Sequence, residues 1–264
     1  MHPSVGTSLT TTDPLDPARA QAFCATLGLP YDPAAPLPPF AHQVYFWTAL
    51  PEAELGRDGH PKTGGFIPDL GLPRRMWAGG RLAFHAPLFA GRPALRVTTI
   101  EAVTEKSGRT GPLAFVTLRH EISQDGQTCL TEWQDLVYRE DPAPGAPQPV
   151  PPEAPVEAEQ SLKRAFSTTT LFRYSALTFN GHRIHYDLDY CREVEGYPGL
   201  IVHGPLLAQV LMLMAEEHLG SLSGFRFRAT APLFHFEQAR FARRGNRLWV
   251  AGPDGRQCMA AEAE

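Results

Sequence analysis

PLLAQVLMLMAEEHL, running from Pro205 to Leu219, is the stretch from which the fold can be worked out. Leu206, Leu207, Val210, Leu211, Leu213 and Met214 cover most of a helical circumference, so the predicted helix is buried nearly all round. Gln209 alone interrupts the apolar run. Pro205, preset for the first helical position, and Gly220, just past the last turn, mark its ends. A helix without a polar face has to be wrapped, and strands are predicted directly after it at Leu222–Thr230, Leu233–Arg243 and Arg247–Ala251, with Cys258–Ala263 as a further candidate.

The first half repeats the theme. Pro14–Leu27 reads as a short helix, and Phe40–Leu50, FAHQVYFWTAL, reads as the buried helix of this half, ended by Pro51. Strands are predicted at Arg81–His85, Ala94–Thr104, Leu113–Ser123 and Thr128–Arg139. Lys106–Pro112 and Ser123–Gly126 join them, the Asp125-Gly126 pair being a hairpin signal because glycine accepts positive φ. Between the halves, Glu140–Gln160, EDPAPGAPQPVPPEAPVEAEQ, has no apolar periodicity and reads as a semi-extended spacer. The expected organisation is an N-terminal module over residues 1–139, a linker over 140–160 and a C-terminal module over 161–264. A buried helix followed by an antiparallel sheet is the layout of a hot-dog domain. The expected fold is therefore α+β: a double hot-dog of two antiparallel sheets, each wrapped around a central helix and continuous across the pair.

Composition narrows the function. The 264 residues, 43% hydrophobic and 20% charged, are enough for one large domain or two ordinary ones and belong to a chain that folds. A formal charge of −4 offers no general attraction to phosphate backbones, which argues against nucleic acid as a partner. No apolar run approaches a membrane span, and the first residues lack a secretory pattern, so a cytoplasmic location and no membrane partner are expected. Cys24, Cys129, Cys191 and Cys258 show no metal-type spacing and read as reduced bystanders.

Chemistry concentrates in Leu171–Leu207, LFRYSALTFNGHRIHYDLDYCREVEGYPGLIVHGPLL. The F-N-G-H-R-I-H run of Phe179–His185, followed by Gly196–Gly204, resembles the MaoC-like, R-specific enoyl-CoA hydratases and the mitochondrial-type 3-hydroxyacyl-thioester dehydratases. The likeness is greatest to the mesaconyl-C4-CoA and itaconyl-CoA hydratase subgroup. Pro73–Arg81, PRRMWAGGR, extends the resemblance into the first half. It implies that His185 takes the place of the family's catalytic His, that Asn180 takes the place of its catalytic Asp, and that His182-Arg183 takes the place of its Asn-Pro. The mitochondrial-type subgroup carries the same Asn. It also implies hydration of an enoyl-CoA or the reverse, a homodimer, and no metal or redox cofactor, coenzyme A entering only as part of the substrate.

The residues can be matched to that reaction. A neutral His can take a proton from water near neutral pH, so His185 is the candidate base. Asn180, an amide, can accept from that water and direct it. Asp187 is an alternative orienter of the imidazole, although residues two apart project oppositely on an extended segment. Gly204 begins the buried helix with an unpaired N–H and no Cβ, which suits an oxyanion site for the thioester carbonyl. Arg173 and Arg183 either bind coenzyme A phosphates or a second substrate carboxylate, or are solvated. Tyr197 and Val202 are candidate pocket residues. His203 is either a pocket wall or a structural hydrogen-bond partner, and His182 reads as structural. Trp77 either lines the acyl tunnel or anchors a loop. Two rival classes stay open: a hot-dog thioesterase, for which no carboxylate stands at Val202–Leu206, and a non-catalytic acyl-thioester binding module, which Asn180 keeps alive. A carrier-protein-linked substrate, as for a 3-hydroxyacyl-ACP dehydratase, is a further alternative.

Overall fold

A computed structural model describes residues 2–108, 111–141 and 150–264. The strands are β1 Ser8–Asp13, β2 Arg74–Phe84, β3 Ala94–Gly108, β4 Gly111–Gln124, β5 Gln127–Arg139, β6 Gln160–Ala165, β7 Gly224–Ala229, β8 Gln238–Arg244, β9 Arg247–Ala251 and β10 Gln257–Ala263. The helices are α1 Pro17–Leu27, α2 Thr168–Thr178 and α3 Gly204–Leu219. The strands form one antiparallel sheet in the order β1-β3-β4-β5-β2-β7-β10-β9-β8-β6, so the strands of each half stay together and meet where β2 pairs with β7. Alternation is clearest in β4, where every second residue from Ala114 to Gln124 is buried.

The predicted buried helix becomes α3, with Leu206, Leu211, Met212 and Gln209 fully buried and Gly220 at positive φ past its end. It lies against β7, β8, β9 and β10. Each fully buried Leu is worth roughly 1.5–3 kcal/mol relative to exposure, which ties the sheet's curvature to this helix. Gln209 donates from Nε2 to the Pro39 carbonyl at 2.6 Å and so fastens α3 to the first half.

The first half departs from expectation, because Phe40–Leu50 is not a helix. Only Ala41–Val44 makes a short 3-10 turn, with Phe40 and Phe46 at positive φ. Tertiary hydrogen bonds displace local ones there: Asp13 accepts from the Phe46 N–H at 2.9 Å, and Arg96 donates to the Phe46 carbonyl at 2.9 Å. Phe40, Val44, Tyr45 and Phe46 are all buried in this irregular path. The remaining inner surface of this half, around Ile100, Val116 and Leu136, is covered by Phe66, Ile67, Leu70 and Leu72. One long central helix therefore serves the molecule, against the two expected.

Strands β1 and β6 escaped the sequence reading, and both are edges of the sheet. Their residues are largely exposed and lack the apolar alternation that marks an interior strand. α2 was missed as well; Ser167 caps it by accepting from the Thr170 N–H at 3.1 Å. Leu233–Glu237 is not strand: Leu233 and His235 exchange backbone hydrogen bonds with Val202 and Leu200 instead of extending β8. The Asp125-Gly126 hairpin forms as expected, with both residues at positive φ. Of the proposed spacer, residues 142–149 lie outside the described residues, as do Arg109 and Thr110 in the predicted Lys106–Pro112 connection; Gln160 already belongs to β6.

The seam between the halves depends on close backbone approach. A Cβ on Gly79 would lie 2.6 Å from the Phe227 carbonyl oxygen across the seam, and one on Gly80 2.7 Å from that of Trp133 on the other side of β2. Neither neighbour is a side chain that can swing away. Gly79→Ala is expected to cost about 1–3 kcal/mol as overpacking does elsewhere, read as a lowered midpoint in chemical denaturation; an unchanged midpoint would show that the seam can spread.

Candidate active site

The local chain path explains the geometry around His185. Asn180 follows the end of α2, and its Oδ1 accepts from the His182 N–H at 3.0 Å, closing a side-chain turn. A 3-10 turn over Arg183–His185 then delivers His185 to the interior, 6% exposed. The Ile201 N–H donates to the Ile184 carbonyl at 2.9 Å, and His185 Nδ1 donates to the Ile201 carbonyl at 2.8 Å. A carbonyl oxygen only accepts, so Nδ1 carries the proton and Nε2 keeps its lone pair. Burial pushes the His185 imidazole down to about 4, partly opposed by the Ile201 bond, and leaves it neutral at physiological pH.

His203 stacks on His185, with ring centroids 3.6 Å apart and planes 20° from parallel. It is fully buried, hydrogen-bonds Ser175 Oγ through Nε2 at 2.8 Å, and has no partner at Nδ1 among the described residues. Burial, followed by the neighbouring His185 and His182, holds its imidazole far below the usual range. His203 is also the residue that precedes α3 without a side-chain cap. The stacking therefore places the first amides of α3 beside His185. A Cβ on Gly204 would meet nothing within 4 Å, so there is room beside the first turn of α3, whose leading amides have no intrahelical partner.

Of the other predicted residues, some join this centre and some do not. Val202 is buried in the core and donates its N–H to the Leu233 carbonyl at 2.9 Å, which aligns the Ile201 carbonyl. Tyr197 is half-buried, with the Arg74 guanidinium 5.9 Å from its ring. Arg183 is held by Asp187, which accepts from Nε at 3.0 Å and Nη2 at 2.7 Å, so neither side chain is turned to a ligand. Asp187 does not orient His185, a task that falls to the Ile201 carbonyl. Arg173 is exposed on α2. Trp77 lies within β2 at a bulge and not in a loop; its Nε1 donates to the Gly79 carbonyl at 2.9 Å and its ring packs toward Phe40 and Phe227. Asn180 is committed to its own turn.

Sequence reading missed Asp58, His60 and Ser175. The loop that carries Asp58 and His60 comes from the first half and locks onto the His185 loop. The Asp58 carbonyl accepts from the Arg183 N–H at 2.8 Å, and a Cβ on Gly59 would collide with the Gly181 carbonyl. Asp58 Oδ2 accepts from His60 Nδ1 at 2.9 Å, and the His60 and His182 ring centroids are 4.3 Å apart. The Asp58-Gly59-His60 spacing was the available signal, but its meeting with His182 is a tertiary event. Asp58, His60 and His182 have the ligand types of a metal site, yet Arg75 places positive charge on all three, which opposes a cation. A cavity of about 350 Å3 between Arg75, His60, Asp58 and Tyr138 adjoins this cluster. A larger one, about 700 Å3, opens among Arg226, Arg228, Arg247 and Trp249, residues remote from the histidines.

This architecture is similar to solved double hot-dog proteins. HtdX of Mycobacterium tuberculosis superposes with a TM-score of 0.69 at 17% identity, covering 97% of this chain and 99% of that one. A conserved hypothetical protein of the same organism, which has a double hotdog fold, gives 0.58 at 15% identity over 98% of this chain and 95% of its own. A further MaoC-like dehydratase reaches 0.73 at 12% identity, over 99% and 98% of the two chains.

Residues 40–235 match the model of the hydroxyacyl-thioester dehydratase type 2 family. The mesaconyl-C(4)-CoA hydratase of Chloroflexus aurantiacus is 48% identical over 94% of this chain and 91% of its own, and the mitochondrial hydroxyacyl-thioester dehydratase type 2 of Schizosaccharomyces pombe is 27% identical over 81% and 80%. The chain belongs to the hydroxyacyl-thioester dehydratase type 2 family, and so to the hydro-lyases that act on thioester-linked acyl groups.

The depressed histidines set a direction for stability. His185 and His120, both buried and both near 4 in the fold, titrate near 6.5 when unfolded. The unfolded chain therefore binds more protons between those values, and stability falls as pH drops from about 6.5 toward 4, by roughly 1.4 kcal/mol per pH unit for each group. Denaturant midpoints at pH 7, 5.5 and 4.5 should decline in that order; a flat series would show that these rings are hydrated.

Proposed function

We propose that this chain adds water to the double bond of an α,β-unsaturated acyl-CoA, or removes it in reverse, and that the acyl group is a short branched dicarboxylic one such as mesaconyl-C4-CoA or itaconyl-CoA, giving citramalyl-CoA. The observation that carries the reading is the neutral His185, with Nε2 free, stacked against the residue that opens α3. Nε2 takes a proton from water as the oxygen bonds to the β-carbon. The thioester oxygen gains charge and is met by the Gly204 N–H, a donor type worth about 3–4 kcal/mol in a dry site. The proton held on His185 then passes to the α-carbon, so one water is added and the protein is restored. These steps call on no metal or redox cofactor; coenzyme A enters with the substrate.

The dicarboxylic preference is supported by the name of the 48% identical relative and by Arg75. Other cations near the site are engaged: Arg74 is ion-paired to Glu195, Arg183 to Asp187 and Arg57 to Asp141. Arg75 is half-buried, lines the cavity beside His60 and has no ion-pair partner among the described residues. Its guanidinium matches the free carboxylate of such a substrate. Thioester hydrolysis is disfavoured because no carboxylate stands at the start of α3, and the buried Glu195 and Glu132 are paired with Arg74 and His42. A homodimer in the cytoplasm is part of the same reading; among the described residues no helix is long and apolar enough to cross a membrane.

The test is loss of enoyl-thioester absorbance with mesaconyl-C4-CoA, itaconyl-CoA and crotonyl-CoA, with free thiol followed in parallel. Absorbance loss without thiol release is expected; thiol release would make the protein a thioesterase, and binding without turnover would make it a non-catalytic acyl-thioester binding module. His185→Ala should lower kcat by about a thousandfold or more while leaving the circular dichroism spectrum intact. Arg75→Gln should lower kcat/KM for the dicarboxylic substrate by about 10 to 100-fold, the scale of a lost charged hydrogen bond, while crotonyl-CoA changes little. An equal loss on all three thioesters would place Arg75 at the coenzyme A phosphates instead.

A further inference from the structure

Asn180 was expected to direct the attacking water, yet the hydrogen bond its oxygen makes, from the His182 N–H, turns it into its own loop. If His185 accepts one hydrogen of the water, a second acceptor is needed to turn the oxygen lone pair toward the β-carbon. Two rings lie beside His185: His203 stacks on it face to face and its Nδ1, without a partner among the described residues, is fully enclosed, whereas His182 stands edge-on, with centroids 5.5 Å apart and planes 83° from parallel, and is the one that can serve. A ring can accept at a chosen nitrogen only if its proton is held at the other one.

The first half supplies a chain of partners suited to that task. Asp58 Oδ1 accepts from the His60 N–H at 3.0 Å and Oδ2 from His60 Nδ1 at 2.9 Å, so carboxylate and ring are both fixed. Burial alone would raise the Asp58 carboxyl, but its bonds to His60 and the charge of Arg75 bring it below the usual range, so it stays an acceptor. With Nδ1 protonated, His60 presents a lone pair at Nε2. One ligand atom from each of Asp58, His60 and His182 lies within 4.8 Å of the others, a gap that one bridging water, or a turn of the His182 ring, closes with a hydrogen bond while His60 stays on Asp58. Arg75 on β2, together with burial, disfavours the protonated form of either ring. The charged and titratable groups facing His60 and His182 include Asp58 from the His60 loop, Arg75 and Arg74 from β2, Tyr138 from β5, His185 from the facing loop and His203 before α3.

We propose that Asp58 and His60 are positioning residues of the active site, contributed by the first half: Asp58 fixes the tautomer of His60, His60 fixes that of His182, and His182 accepts from the attacking water in place of Asn180. The proposal rests on the hydratase reading above and adds no step to its proton balance, since the second hydrogen of the water stays on the product hydroxyl. It makes the site a joint product of both halves, so that neither half alone hydrates efficiently.

The experiment is Asp58→Asn, which keeps an oxygen for the His60 N–H but can turn an amide N–H₂ toward Nδ1 and reverse the ring's tautomer. It is paired with His60→Gln and read by steady-state kinetics and by long-range 1H–15N spectra of the imidazoles. Expected is a fall in kcat of about 100-fold for D58N with KM changed little, the low end of what a positioned proton acceptor contributes, because His185 keeps its own tautomer. His60 and His182 signals should exchange tautomer, while those of His185 remain and the melting temperature holds. Unchanged kcat, or unchanged His182 signals, would overturn the proposal. So would stoichiometric Zn2+ retention in equilibrium dialysis that H60Q abolishes, because the cluster would then be a metal site. If the wild-type protein hydrates none of the thioesters, the hydratase reading fails, and the imidazole spectra still decide whether Asp58 and His60 set the His182 ring.

Discussion

The burial of α3 is the constraint from which the rest follows. A helix apolar on nearly every side cannot lie on a surface, so the strands that follow it close over it, and those of the first half extend the same sheet. Burial also has a polar consequence. The first amides of a helix have no intrahelical partner, and here they are carried to the interior with only His203 before them. The oxyanion site proposed for this helix start would thus be a by-product of wrapping the helix.

Electrostatics around that end are organised by neutrality. His182, His185 and His203 lie within a few ångströms of one another, and burial together with mutual repulsion keeps them uncharged. A neutral imidazole is useful only if its proton is on the proper nitrogen. Fixed acceptors provide this: the Ile201 carbonyl for His185 and Asp58 for His60. The motif has an amide at Asn180, and the carboxylate of this region, Asp58, comes from 122 residues earlier in the chain, its loop held against the His182 loop by interlocking Gly59 and Gly181.

The two halves are therefore unlike. The second has the long helix and the histidines, while the first replaces its helix by an irregular aromatic segment and a covering loop. In the same half, the loop of Asp58 and His60 meets the His182 loop, and Arg75 stands beside it on β2. The glycines at the β2–β7 seam and at the loop contact are the points where backbone must meet backbone closely.

What the sequence determined by itself was whatever depends on local periodicity and short-range pattern. The buried helix and its ends, the inner strands, the Asp125-Gly126 hairpin and the His185 motif all announce themselves within a few residues. The edge strands β1 and β6 were silent because a half-solvated edge has little apolar signal. Phe40–Leu50 misled because a run of buried aromatics looks alike whether its hydrogen bonds are local or tertiary. Only the tertiary structure decided that Arg183 answers to Asp187, that Asn180 serves its own turn, and that Asp58 and His60 face His182. The first two are local, four and two residues apart, but a polar side chain's choice of partner depends on what is buried beside it; the last joins opposite halves of the chain, about which local pattern carries no information.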